Sequence, residues 1–156
     1  MDFINEQITE QLKEMSAHLS RLNELIRKSQ RTKPAASKIN AVINEVLSEC
    51  MISIKSIGHQ YMKDAVSIIS EHGPHDLCFS KDVYPRIAAR HRDCTAAQVE
   101  HSIRNAIDAA YRSILKHSRH CDSLMHSFEK KPSNKQFLLR VTHEVNGRLL
   151  ALPVTG

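Results

Sequence analysis

With 156 residues the chain has room for one domain, or for a small domain with an appended element. Only four Gly, five Pro and no Trp, long stretches of helical period and no run of alternating β-branched residues exclude a sheet-based fold and point to an all-α chain with a mostly aliphatic core. The net charge of +5 sits in the last third, where residues 110–156 carry eight basic and three acidic groups against seven of each in 1–50 and in 51–109, and no apolar run approaches the ~18 residues needed to cross a bilayer.

The first predicted element is a helix over residues 3–29. Ile8, Leu12, Met15, Leu19, Leu22 and Ile26 alternate in steps of four and three, the seam of a coiled coil or helical hairpin. Its start is acidic (Asp2, Glu6, Glu10, Glu14) and its end basic (Arg27, Lys28, Arg31, Lys33), an order that complements the helix dipole. The flanking positions Thr9, Gln11, Ser16, His18, Asn23 and Leu25 carry no charge to fix a partner, and about three heptads is short for an independent coiled coil. Dimerisation and docking on the rest of the chain both stay open for it. Arg31–Ser37, with Pro34, is a linker, so residues 1–37 are expected to form one segment, 38–149 the main domain and 150–156 a flexible tail.

A second helix begins near Lys38 with Ile39, Val42, Ile43, Val46, Leu47 and Cys50 inward; no Gly or Pro decides whether it stops near Met51 or runs on toward Ser56. Gly58 opens the next segment, a short helix over Tyr61–Ile69, which His72-Gly-Pro-His-Asp76 stops. A short helix capped by Ser80, with Pro85 in its first turns, leads through a polar turn at His91–Cys94 into a longer helix over 96–112 capped by Thr95. Residues 117–134 are irregular apart from the apolar Leu124, Met125 and Phe128. Lys130–Asn134 is a turn and cap for a last helix, Ser133–Arg148, with Phe137, Leu138, Val141 and Val145 inside.

The segment from Ser80 to Arg112 carries the chemistry. Val99, Ile103, Ala106 and Ala110, with Ile107 beside them, share one stripe of the longer helix; Gln98, Glu100, His101, Arg104, Asn105 and Asp108 occupy the opposite arc. A short helix, a tight turn and a helix apolar on one side and rich in hydrogen-bonding groups on the other are what a helix-turn-helix needs to enter a DNA major groove. The same pattern also describes an ordinary amphipathic surface helix.

Four stretches in register narrow the choice: Gly58-His-Gln-Tyr-Met-Lys-Asp-Ala-Val66, Val83-Tyr-Pro-Arg-Ile-Ala88, Thr95-Ala-Ala-Gln-Val-Glu-His-Ser-Ile-Arg-Asn-Ala-Ile107 and Lys131-Pro-Ser-Asn-Lys-Gln-Phe137. From about Ile39 to Leu149 the chain resembles the C-terminal DNA-binding domain of the master response regulators of bacterial sporulation, stage zero sporulation protein A. The resemblance implies a bundle of about six helices whose recognition helix runs here from Ala96 to Arg112, and a sequence-specific transcriptional regulator of double-stranded DNA. It puts Gln98, Glu100, His101 and Arg104 toward the bases. Glu100 and Arg104 match the family's residue types; Gln98 and His101 stand where the family has arginines, so the DNA element is expected to differ from the usual one. It also puts the Lys131–Asn134 turn against phosphate, with Ser133 and Asn134 at a helix N-terminus and Lys130 and Lys135 beside it. Arg86, Arg90, Arg92 and Asn105 complete the expected phosphate contacts. The family's phosphoacceptor receiver needs an alternating βα pattern; the 38 or so residues ahead of the main domain are helical, so control by phosphorylation is not expected within this chain.

Other function classes find less support in the residues. His117, His120, Cys121 and His126, and more loosely His72, His75 and Cys78, are zinc-type ligands without a closed-site spacing, so neither metal nor cofactor is expected. The four cysteines, Cys50, Cys78, Cys94 and Cys121, have no paired spacing, and the first residues have no signal-peptide pattern; reduced thiols in a cytoplasm are the simpler expectation. No glycine-rich phosphate loop, nucleophile elbow or placed carboxylate pair supports an enzyme or a small-molecule substrate. The main alternative is a protein-interaction module that pairs with a full-length sporulation-type regulator without itself binding DNA.

Overall fold

The computed structural model describes residues 2–32, 36–73, 75–117 and 123–152. Among them the chain is all-α. Helix α1 spans Asp2–Thr32, α2 Ala36–Glu49, α3 Ile57–His72, α4 Tyr84–Arg90, α5 Ala96–His117 and α6 Asn134–Ala151, with a π-helical turn at Phe79–Val83 and a 3-10 turn at Leu124–Ser127. The chain divides into two compact units, one built on α1 and one formed by α2 to α6. None of the described helices is long and apolar enough to cross a membrane.

The first unit is built on one unbroken helix, α1, whose seam side chains, Ile8 to Ile26, are all exposed. The second is a bundle of five α-helices, α2 to α6, with the two short helical turns, in keeping with the expected all-α bundle of about six helices. Its centre is α3, which packs against α2, α4, α5 and α6. Ile43 and Leu47 of α2, Met62 and Ile69 of α3, Ile103 and Ile107 of α5, and Phe137 and Leu138 of α6 form a continuous aliphatic core with almost no exposure. Each such side chain contributes about 1.5–3 kcal/mol by leaving water, which offsets the entropy of ordering so small a chain.

Several boundaries differ from expectation for local reasons. Helix α2 ends at Glu49 although no Gly is at hand: Met51 adopts a left-handed φ of 62°, and the Ile52 N–H bonds back to the Leu47 carbonyl at 3.0 Å. Burial of Ile52 holds this end in place, the apolar contact typical of such a stop. Helix α3 starts four residues before Tyr61, because the Ser56 hydroxyl accepts from the His59 N–H at 3.1 Å, and it ends on Gly73, whose φ is 81°. Ser80 does not cap a helix. The chain is already coiled from Phe79, and the Asp82 carboxylate accepts the Cys78 N–H at 2.8 Å instead. Pro85 does lie in the first turn of α4. Helix α6 continues to Ala151, past the start of the expected tail at 150; residues 153–156 lie outside the described residues, as do 33–35 of the linker.

Arg148 ties the end of α6 to the end of α2. Its guanidinium donates to both carboxylate oxygens of Glu49, at 3.0 and 2.6 Å, and to Glu144 at 3.0 Å, with Glu45 at 3.4 Å. The guanidinium holds the Glu49 carboxyl below its ordinary value of 4.5. A carboxylate depressed on folding adds stability that is present above its unfolded pKa and lost as pH falls through the folded one. Arg148→Met is therefore expected to lower stability near neutrality by about 0.5–1 kcal/mol, the range of half-exposed ion pairs, and to flatten the decline below about pH 4.5. Thermal melts between pH 3 and 7 check this; parallel profiles for the two proteins would exclude it.

Candidate nucleic-acid interface

Helices α4 and α5, joined by residues 91–95, form the helix-turn-helix. The turn is fastened to α3. His91 Nε2 donates to the Asp64 carboxylate at 2.7 Å, Arg90 approaches the other carboxylate oxygen at 3.4 Å, and the His91 ring stands edge-on to Tyr61 with centroids 4.9 Å apart. Asp93 supplies the left-handed residue, φ 56°, which Asp tolerates better than most side chains. The Tyr61 hydroxyl and the Cys94 thiol meet at 3.3 Å, and this contact, with burial, pushes the Tyr61 phenol up to about 12. Tyr61 and Asp64 lie in a stretch that carries the family resemblance, but their role in fastening the turn is not legible locally, because their partners lie 33 and 27 residues away.

Helix α5 begins with a reciprocal cap. The Thr95 hydroxyl accepts the Gln98 N–H at 3.2 Å, and the Gln98 side-chain oxygen accepts the Thr95 N–H at 2.9 Å. This is the S/T-x-x-E/Q capping box. It changes what Gln98 offers a base: its carbonyl oxygen is engaged, and only its amide nitrogen points elsewhere while the box is closed. Val99, Ile103, Ile107, Ala110 and Ile114 are buried. On the other side Gln98, His101, Arg104 and Asn105 are exposed, with Glu100 half-exposed. Arg104 and Glu100, one turn apart, form an ion pair on this surface, with 53% and 41% of their side chains accessible.

The N-terminus of α6 lies beside this face. Ser133 and Gln136 form a second capping box: the hydroxyl accepts the Gln136 N–H at 3.2 Å and the Gln136 oxygen accepts the Ser133 N–H at 3.0 Å. Asn134 is buried and donates its amide to the Glu100 carbonyl at 3.0 Å, which fastens the start of α6 to α5. What Asn134 can give an anion is thus its backbone N–H, which helix geometry, with that of Lys135, leaves free of an intrahelical acceptor. Lys131 pairs with Asp108 of α5 at 2.8 Å, and Lys135 lies 5.9 Å from the centre of the Phe79 ring. Burial dominates and raises the Tyr84 phenol beneath them; a side-chain hydrogen bond with Asn134 and the charge of Arg104 act against this, and the charge of Glu100 adds to it. Tyr84, Arg104, Asp108, Lys131 and the α6 N-terminus line an open groove of about 470 Å³.

The structure thus brings Glu100, Arg104, Lys131, Ser133, Asn134 and Lys135 to one groove, while Gln98, His101 and Asn105 are exposed on α5 outside it. The other expected phosphate contacts are dispersed. Arg86 donates to a ring nitrogen of His72 at 2.6 Å, Arg90 leans on Asp64, and Arg92 and Lys130 are exposed with no ionic partner among the described residues. Asp108 and Gln136 were not singled out for this groove; their signal was the i+4 step from Arg104 and the i+3 step from Ser133. Among the described residues no three His, Cys, Asp or Glu side chains converge as a metal site; His120 and Cys121 lie outside them, and His72 is engaged by Arg86 and by the Ile68 carbonyl. Buried Cys50 is an unreactive thiol, with burial pushing its pKa up to about 11.

The family model described as "Sporulation initiation factor Spo0A C terminal" matches residues 43–145, which covers the whole of this groove, both helices of the motif and the cap of α6. That span is about two thirds of the chain, and the chain belongs to the family of the C-terminal DNA-binding domain of the sporulation initiation factor Spo0A, a transcription-regulator domain.

Proposed function

We propose that the protein binds double-stranded DNA sequence-specifically and regulates transcription, with α5 in the major groove. The observation that carries this is the exposed polar arc of α5, whose edge, with the Glu100–Arg104 pair, lies directly beside the N-terminus of α6. Arg104 can donate to the two acceptors of a guanine edge and Glu100 can accept from a cytosine amino group. His101 and the amide nitrogen of Gln98 reach neighbouring bases. Phosphates are held by the N-terminus of α6 with Lys130, Lys131 and Lys135, and on the other flank by Arg92, with Arg86, Arg90 and Asn105 contributing at the edges. These residues need no phosphoryl group to form the interface, and among the described residues there is no receiver-type α/β layer.

Lys131 separates phosphate binding from base reading. Lys131→Ala is expected to weaken every duplex alike, by up to about tenfold near physiological salt, and to reduce the slope of log K against log salt by about one. Fluorescence anisotropy on a matched and a scrambled duplex over a salt series measures both. Binding that is absent, or indifferent to salt, would sink the DNA reading and favour a module that pairs with a full-length regulator.

A further inference from the structure

The seam of α1 is its own complement when reversed, as a regular heptad seam of this length is, and here the residue types match as well. Written backward about residue 17, Ile8 falls opposite Ile26, Leu12 opposite Leu22 and Met15 opposite Leu19. An antiparallel pair of such helices meets in mixed layers, each seam residue on one helix facing one of the alternate kind on the other, and this seam supplies three such layers on either side of the dyad with no polar residue in them. All six side chains are between 49% and 61% exposed.

No charge flanks the seam, so direction rests on the summed charge of each half of the helix. Residues 2–17 hold four carboxylates and one lysine, while residues 18–33 hold five cations and one carboxylate. Parallel pairing would set acid against acid and base against base along the whole length. Antiparallel pairing sets the acidic half of each helix against the basic half of its mate, and also opposes the two helix dipoles. Within a helix the same order is already favourable, so the two effects agree.

We propose that α1 is a homodimerisation element and that its occupant is the α1 of a second copy, running antiparallel. The 31 residues of α1 make a rod of roughly 46 Å at 1.5 Å per residue. Because the bundle of each copy follows its α1 in the chain, antiparallel pairing attaches the two bundles to opposite ends of the rod. Two copies then engage separated half-sites, and each contact raises the effective concentration of the other. The pairing itself stands independently of the DNA reading.

The test uses two full-length variants, Ile8→Cys and Ile26→Cys, oxidised separately and as a mixture, with linked peptides identified by mass spectrometry so that native cysteines are told apart. The expected result is an 8–26 link between chains in the mixture, at least several-fold above 8–8 and 26–26 links. Predominance of 8–8 and 26–26 links would overturn the antiparallel assignment in favour of a parallel pair. A monomer by sedimentation with none of these links would overturn dimerisation altogether. Leu19→Glu is expected to convert the dimer to monomer while leaving the thermal melt of the bundle in place, and a dimer unaffected by it would equally refute the seam. Dimerisation is expected to strengthen as salt is lowered; weakening at low salt would speak for like-charged halves in contact.

Discussion

Arg104→Ala is expected to reduce affinity for the preferred duplex by roughly 5- to 150-fold, or about 1–3 kcal/mol, and to relax the preference at one base position. The guanidinium is half-exposed on α5, one turn from Glu100 and level with the cap of α6, so it projects from the part of the helix best placed to reach a base edge. Its loss should barely change folding, because a surface i,i+4 pair contributes only about 0.3–0.5 kcal/mol. Arg104→Lys keeps the charge and loses the planar fork. It should restore the salt dependence while leaving discrimination at that position weak. Selection of bound sequences from random duplexes, followed by titration at fixed salt, separates the two effects. If Arg104→Ala and the native protein bound every duplex equally, α5 would not be reading bases through this residue.

Much of this surface was legible in the sequence because it depends on short-range order. The stripe Val99–Ile103–Ala110 and the arc opposite it follow from helical period alone, as do the Thr95 and Ser133 caps, whose partners lie three residues on. The parts that were hidden depend on contacts across the fold. The stop of α2 at Met51 needs a left-handed residue that no Gly announces, and it is held by burying Ile52 rather than by a turn signal. Asn134 reads as a phosphate contact by its place at a helix start, yet its amide is engaged by the Glu100 carbonyl 34 residues away. Gln98 reads as a base contact, yet its oxygen serves the cap of its own helix. In each case local pattern identified the element, and a long-range or cap bond decided what the side chain had left to offer. Residues 98, 100 and 134 therefore form one mechanical unit, in which the cap fixes where α5 begins and Asn134 fixes where α6 meets it.

The depth at which α5 sits is set from its inner side by Gly58, and here a second large effect is expected. A Cβ at Gly58 would lie 2.7 Å from the Ser102 carbonyl oxygen and 2.8 Å from the Ala106 Cβ, so α3 and α5 approach too closely for any side chain. The obstacle is backbone on one side and a Cβ on the other, neither of which can rotate away. Gly58→Ala is expected to destabilise the bundle by about 1–3 kcal/mol, with a fall in Tm of several degrees, despite the better helix propensity of Ala. Gly147→Ala supplies the contrast within the same fold: its added Cβ meets nothing within 4 Å, in mid-helix, so the propensity gain should raise stability by about 0.5–1 kcal/mol. Opposite signs for one chemical change would reflect chiefly the space that each added Cβ meets, with Gly58 in the first turn of α3 also gaining less helix propensity. Since moving α5 outward also moves Arg104 relative to the α6 cap, the fraction of Gly58→Ala that remains folded should bind DNA less tightly than the native protein, whereas Gly147→Ala should bind as the native protein does. Paired thermal melts and titrations of the two variants test both statements, and a Gly58→Ala protein at least as stable as the native one would show that the α3–α5 spacing has slack and does not position the reading helix.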